Sequence, residues 1–333
     1  MPGPSATTFQ RPDLGILFEQ FDTIAAREGY IGTKVLPFLP VALQSAPFPK
    51  VVLESMLRDT KTRRAPGAAY NRVSGEFTQD SYATEEHGLE EAVDDRERRM
   101  YAQSLDLDML AVNRIAAILA AEAEKRIAAA VFNATTWTGS ALTTAVGTEW
   151  SSTNNSAPLD DVASALSKIR LGASGVGGAG INPLVAIGIC DWTVFNNLRR
   201  NTQIKDTLKY AGIDDPTMPW GDAAKVIAKA LGLRDLLVAG GVKNTAHRGL
   251  TRSLDSIWDD EYFMIAKVAS TNDLREPCIG RTFVWEGDGG AAAGTFEEYR
   301  EEQTRTQVFR ARHDVIEKVL YAECGHLLSN ITA

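Results

Sequence analysis

Few residues in this chain combine into a constellation that could do chemistry. The run Gly172-Ala173-Ser174-Gly175-Val176-Gly177-Gly178-Ala179-Gly180 has the composition of a phosphate-binding loop. Such a loop cradles an anion with backbone N–H groups only where a strand precedes it and a helix follows. Here a helical pattern comes before and an apolar strand pattern after, and no Gly-Lys-Ser/Thr follows, so the run reads as a flexible surface loop. Cys190-Asp191 sets a thiol beside an acid, yet Cys190 ends an apolar strand pattern and Asp191 stands where a helix needs its N-cap. The four histidines, His87, His247, His313 and His326, show neither HxxxH nor HxH spacing, so they offer zinc no ligand set. No GxSxG elbow is present. The carboxylate pairs Glu297-Glu298 and Glu301-Glu302 read as a solvated strand face or a contact between subunits, not as a general acid and base. The chain is therefore expected not to be an enzyme, with no catalytic residue, cofactor or metal ligand assigned.

Composition sets wider bounds. A chain of 333 residues with 44% hydrophobic and 23% charged residues can bury a sizeable core in one large or two moderate domains. A net charge of −8 argues against non-specific nucleic-acid binding over the whole surface, while leaving room for a local basic face. Cys190, Cys278 and Cys324 are far apart and odd in number, which fits reduced, buried thiols in a cytosolic protein. The N-terminus lacks a basic region followed by an apolar core, so no signal peptide is expected. No apolar run approaches the ~20 residues of a membrane helix.

The stretch from Leu57 to Arg99 departs from the rest. Large apolar residues are sparse there, and the charges are sorted: Arg58, Lys61, Arg63 and Arg64 come first, and Glu85, Glu86, Glu90, Glu91, Asp94, Asp95 and Glu97 come later. Tyr70 to Val73 and Asp80 to Thr84 alternate like strands, and Pro66-Gly67 marks a turn. This stretch cannot bury enough apolar area to fold alone, and an isolated hairpin is marginal in water. It is expected to be a projecting two-limbed loop that rests on another surface.

The flanking elements must hold it. Val35 to Val52 is apolar but broken by Pro37, Pro40, Pro47 and Pro49, which forbids a helix and confines any strand to an edge. That segment reads as an extended arm, preceded by one or two helical turns at Leu14–Phe21. The strongest helical pattern runs from about Asp95 to Phe132, with Leu105, Met109, Val112, Ala116, Leu119, Ala123, Ile127 and Ala130 on one stripe. Asp94 or Asp95 caps it, and Glu122 and Arg126 form an i,i+4 pair. A helix of that length would span roughly 50 Å, a spine for other elements. Next come a helix at Leu159–Leu171, a strand at Asn182–Ile189, a helix capped by Asp191 through Arg200, a helix at Asp222–Leu231, and strands at Leu236–Ala239 and Tyr262–Ala266. These alternate as in an α/β domain. The tail returns to strands, at Ile279–Trp285, Thr295–Arg312 and Val315–Tyr321, with a turn expected at His313-Asp314.

This order of parts resembles the major capsid proteins of tailed phages, the fold often called Hong Kong ninety-seven. The local stretches that carry the resemblance are Arg63 to Tyr70, Tyr82 to Asp95, and Val308 to Arg312 with Val315 to Val319. The resemblance implies an α+β fold in four parts: an N-terminal arm (1–50), an extended loop and its strands (51–95), a peripheral domain with the spine helix (96–138 and 296–333), and an axial α/β domain (139–295). It implies self-assembly, through hexamers and pentamers, into an icosahedral virion shell built in the host cytoplasm around DNA packaged without sequence specificity. Portal and decoration proteins are implied partners. Because the chain starts almost at the arm, with Met1, scaffolding is expected from a separate protein. Some family members form Lys–Asn crosslinks, but Lys61 has no identifiable partner and none is expected. Arg58, Lys61, Arg63, Arg64, Tyr70, Glu85, Glu86, Glu90, Glu91, Asp94 and Asp95 are expected to meet neighbouring subunits. Deleting Lys61–Ser81 should then leave a folded subunit unable to form shells. Two other readings stand beside this one: an encapsulin-like shell or another phage assembly subunit, and a soluble α/β enzyme working from residues 159–270.

Overall fold

Alternating polarity and the placing of the prolines decide which strands pair and where pairing stops. The structure, a computed structural model, describes residues 9–10, 29–102, 106–173, 178–210, 219–247, 249–287 and 294–332. The helical turns expected at Leu14–Phe21 lie outside these residues, as do parts of both glycine-rich runs. In chain order the strands are β1 (Phe9–Gln10), β2 (Phe38–Val41), β3 (Ser45–Val51), β4 (Phe77–Ala83), β5 (Glu85–Asp94), β6 (Thr143–Ala145), β7 (Ile187–Asp191), β8 (Asp235–Ala239), β9 (Val242–Asn244), β10 (Leu254–Ser256), β11 (Phe263–Ala266), β12 (Gly280–Trp285), β13 (Thr295–Glu301), β14 (Thr306–Val319) and β15 (Gly325–Ser329).

They form two large sheets and two ribbons. The first sheet is ordered β1-β13-β14-β12-β2, with β5 also pairing β14, and the second is ordered β6-β15-β11-β7-β8. β3 pairs β4, and β9 pairs β10. The sheets do not divide where the sequence suggested. β12, from the segment 139–295, pairs in the first sheet, and β15, from the segment 296–333, is an inner strand of the second.

β14 contains no glycine or proline over its 14 residues, and the turn expected at His313-Asp314 is absent. Both residues are buried within the strand and pair with His87 and Glu86 of β5. The chain reverses instead before β14, just after β13, where Arg305 takes a left-handed conformation (φ 56°).

The single helix expected over Asp95–Phe132 is two helices. Asp94 caps a short one, Asp95–Tyr101, by accepting from Arg96 N at 2.6 Å. Asp106 then starts a second, Leu107–Val131, by accepting from the N–H groups of Asp108 and Met109. At 1.5 Å per residue this spine helix is ~37 Å long. Its Val112, Ile115, Ala116 and Leu119 pack with Val93, Phe296, Phe309 and Ala311 of the first sheet. Its Ile127 and Val131 belong to a separate core with Val35, Leu36, Trp137 and Trp258. Met109, expected on the apolar stripe, is exposed. The expected Glu122–Arg126 pair does not form. Glu122 binds Lys125 at 2.7 Å, and Arg126 reaches across to Glu317 of β14 at 3.0 Å.

Among the axial-range elements, helices at Pro158–Leu171, Trp192–Arg200 and Trp220–Ala230 fall close to expectation, and Asp191 caps the second by accepting from Thr193 N at 2.8 Å. The strand expected from Asn182 starts only at Ile187, because Asn182-Pro183 begins a tight turn first.

The proline-rich segment is largely strand. Pro40 lies in β2, which pairs in parallel at the edge of the first sheet. In β3, Pro47, Pro49 and Val51 share one edge by period two. Val51 N–H on that edge donates to the Tyr321 hydroxyl at 3.2 Å and not to β4. The two prolines thus sit where β4 asks for no donor.

A buried carboxylate fastens the N-terminal segment to this frame. Glu124 of the spine helix is 3% exposed and accepts from Ile31 N at 2.9 Å, Gly32 N at 2.8 Å and Trp258 Nε1 at 2.6 Å. The two amides open the helical turn Gly32–Val35. A Cβ at residue 32 would lie 2.5 Å from Glu124 Oε2, so only glycine admits this approach. Glu124→Ala should strand three buried donors and cost at least about 3 kcal/mol. Urea unfolding measures this, and Gly32→Ala should fall in the same direction.

Candidate assembly surface

The ribbon β3–β4 carries the charged, core-poor loop away from the body of the chain. Its base is locked by aromatic packing. The Tyr82 ring stacks on Phe283 of β12 at 4.7 Å and 6°, with Phe48 beside it at 5.9 Å. Lys318 of β14 pairs with Asp80 at 2.5 Å and donates to the Ser81 carbonyl. Burial alone would raise the Asp80 pKa, but the hydrogen bonds from Lys318 and Ser81 N–H bring it below its ordinary value. Lys50 lies over the Tyr321 ring at 4.5 Å. The Leu57 side chain closes against Gly180, whose φ of +62° and lack of Cβ make the approach possible.

Beyond this base the loop touches little. Every residue from Met56 to Gln79 is exposed. Met56, Tyr70, Val73 and Phe77 are each between 67% and 74% exposed, an unusual display of apolar surface along one excursion. The loop keeps its shape with its own contacts. Arg58 pairs with Glu76 at 2.8 Å across the neck, Arg64 sits over the Tyr70 ring at 4.3 Å, and Asn71 donates to the Lys61 carbonyl. Pro66-Gly67 forms the expected tip, with Ala68 N donating to Ala65 O at 3.1 Å.

The expected contact residues separate into two groups. Lys61 and Arg63 are exposed and have no ion-pair partner, and Arg58, Arg64 and Tyr70 are exposed but engaged inside the loop. The acids are not a limb of the loop, because β5 is a strand of the first sheet and β4 is the returning limb. Glu90 binds Arg310 at 2.5 Å, Glu91 binds Arg114 at 2.5 Å, Asp95 binds Arg300 at 2.7 Å, and Asp94 is spent on its cap. Only Glu85 and Glu86 of that set are exposed without a cationic partner.

Sequence patterning missed the residues that anchor the loop, Phe283, Lys318 and Tyr321, which lie more than 200 positions away from it. It also missed a polar cluster under the start of β5. His313 of β14 faces His87 at 5.9 Å, and its Nε2 accepts from Arg126 at 3.1 Å. Burial, then the charge of Arg126, then His87 push His313 down to about 3. Burial also pushes the Cys190 thiol far above its ordinary range, which fits a core residue and not a nucleophile. Among the described residues no group of three His, Cys, Asp or Glu could hold a metal ion, and no helix is long and apolar enough to cross a membrane.

No protein-family model matches the sequence, and no curated protein does. Solved structures do match in fold. A phage-related protein from Bordetella bronchiseptica is 19% identical, with a TM-score of 0.70 and 98% of each chain covered. The capsid of cyanophage P-SCSP1u gives 11% identity and a TM-score of 0.55, over 89% of this chain and 86% of that one. An encapsulin from Synechococcus elongatus gives 11% identity and a TM-score of 0.53, over 90% of this chain and 86% of that one. The α+β fold is that of tailed-phage major capsid proteins, along nearly the whole chain.

The histidine cluster makes a signed pH prediction. The folded chain keeps His313 neutral down to about 3, whereas the unfolded chain protonates it near 6.5. Stability is therefore intact above about pH 6.5 and falls as pH drops from there toward 3, by up to about 1.4 kcal/mol per pH unit for this one proton. Denaturant titrations at pH 7, 6, 5 and 4 should show a shallower acid decline in His313→Gln than in the parent chain.

Proposed function

We propose that the chain is a major capsid protein, which assembles with copies of itself as hexamers and pentamers into an icosahedral shell enclosing a phage genome. One observation carries this reading: the excursion from Met56 to Gln79 is ordered by its own contacts, yet leaves Met56, Tyr70, Val73 and Phe77 in solvent. A chain of this size has no reason to hold such a loop open unless another surface covers it. In the shell the loop lies across a neighbouring copy. Its apolar side chains supply affinity, while Lys61 and Arg63 set register against a neighbour whose net charge is −8. Exposed ion pairs contribute only ~0–1 kcal/mol each, so register and not strength is their role.

On this reading 1–50 forms an arm, 51–95 the extended loop and its strands, 96–138 with 296–333 a peripheral domain and 139–295 an axial domain, with sheet membership crossing the last boundary at β12 and β15. Partners would be a separate scaffolding protein, a portal, decoration proteins and packaged DNA, with assembly in the host cytoplasm. The chain would act by structure and not by catalysis. A second reading, an encapsulin-like compartment shell, is favoured by the fold match to the Synechococcus encapsulin. Particles that hold nucleic acid favour the phage capsid, and empty or protein-filled particles favour the compartment.

The test is expression followed by gel filtration and negative-stain microscopy. Closed shells are expected from the full chain. The informative deletion removes Lys61–Gly75 and spares β4, which begins at Phe77 and is half of the loop's base. That variant should keep the circular dichroism of the parent and elute as a subunit or small oligomer. Normal shells from it would overturn the role given to the loop.

A further inference from the structure

Where β13 turns into β14, a cavity of about 520 Å³ opens between that turn and the helix Asp95–Tyr101. Arg96, Arg99, Arg305, Asp94, Asp95 and Met100 line it. Both carboxylates are already committed. Asp94 accepts from Arg96 N, and Asp95 is held by Arg300 at 2.7 Å, which keeps its carboxyl below the usual range. Nearby, Arg98 binds Asp108 at 2.7 Å, Glu302 binds Arg300 at 2.9 Å and Glu301 accepts from the Thr304 hydroxyl, while Glu97 is exposed on the same helix without an ion pair. Arg96, Arg99 and Arg305 remain, all exposed and with no acid within 4 Å. Arg96 and Arg99 are i,i+3 neighbours on one helix face, and Arg305 comes from the opposite wall. Guanidinium forks arranged on two walls suit carboxylates that arrive from outside the site.

The complementary feature lies at the other end of β5. Glu85 and Glu86 are exposed and have no cationic partner. Eight strand residues separate Glu85 from Asp94 and seven separate Glu86 from it, roughly 30 Å, so a chain cannot satisfy its own pocket. Adjacent strand residues point to opposite faces, so the two carboxylates can address the two arginine walls at once. We propose that this cavity receives Glu85 and Glu86 of a second copy, joining copies head to tail along β5. The proposal rests on the self-assembly reading above. A head-to-tail contact repeats into rings where its rotation closes. It also sets opposite charges face to face between subunits that otherwise repel at −8 each.

Charge exchange tests it. Glu85→Arg with Glu86→Arg, and separately Arg96→Glu with Arg99→Glu, should each lower particle yield at low salt at least tenfold, while circular dichroism stays that of the parent. The chain carrying all four substitutions should recover particles, because every contact is again complementary. Reversal variants that assemble like the parent, or a fourfold variant with no recovery, would overturn the contact. So would normal particles that have merely lost their nucleic acid, which would assign the arginines to phosphate binding. Should a reversal variant fail to fold, Glu86→Gln and Arg99→Gln replace it, and each must lower the salt concentration at which particles come apart. If the parent chain itself forms no particles, the self-assembly reading fails and this contact fails with it. Particles from the parent and from both reversals sink this contact alone.

Discussion

Backbone N–H and C=O groups along β14 have to find partners away from water, and the way they do so orders the rest of the chain. Residues 306–312 are paired on both sides, by β5 and by β13, and Val315 is paired by both Glu85 and Val284. Elements that lie more than 200 residues apart in sequence are thereby fixed at adjacent positions. The spine helix can pack on the first sheet because β5 and β14 together offer it Val93, Phe309 and Ala311. The loop ribbon finds its base because β12 and β14 offer it Phe283 and Lys318. A glycine or proline in the middle of β14 would loosen all of these at once.

Two carboxylates, Glu124 buried and Glu276 half-buried, then do what apolar packing cannot. Glu124 gives direction to the turn at Gly32, and Glu276 gathers the N–H and hydroxyl groups of Ser270 and Thr271 before β12. Burial works against the ionised Glu276, but four donors more than offset it, and its pKa comes down to about 2. Glu124 thereby orients a turn whose Ile31, Val35 and Leu36 lie in the core, while Glu276 holds the exposed turn at Ser270 and Thr271. Hydrogen bonds supply the specificity there that the hydrophobic effect leaves open.

What the sequence made legible follows the range of the forces involved. Asp191 could be placed as a cap, and Val112, Ala116, Leu119 and Ile127 as a buried stripe, because capping and helical periodicity act within a few residues. The break at Asp106 was also local, yet the helical spacing of Leu105, Met109 and Val112 runs across it and concealed it. Long-range pairings were hidden. Nothing near Glu90 or Glu91 announces Arg310 and Arg114 as partners, so acids that look available in one dimension are largely spent in three. β15 was unreadable for a related reason: a short apolar strand at the chain's end shows its place only when β11 and β6 stand on either side of it. The loop itself was the most legible part of the surface, because exposure of an apolar residue among charges is a compositional fact before it is a structural one.

The prolines of β3 give the exposed ribbon a property beyond shape. A two-stranded ribbon in solution has two open edges, and open edges are where extended chains add to one another without limit. Pro47 and Pro49 remove two donors from the middle of one of them, and a further donor, at Val51, is taken by Tyr321. That edge is therefore a poor template for another strand. A ribbon that stands uncovered on the single chain is in this way kept from growing fibres along the edge of β3.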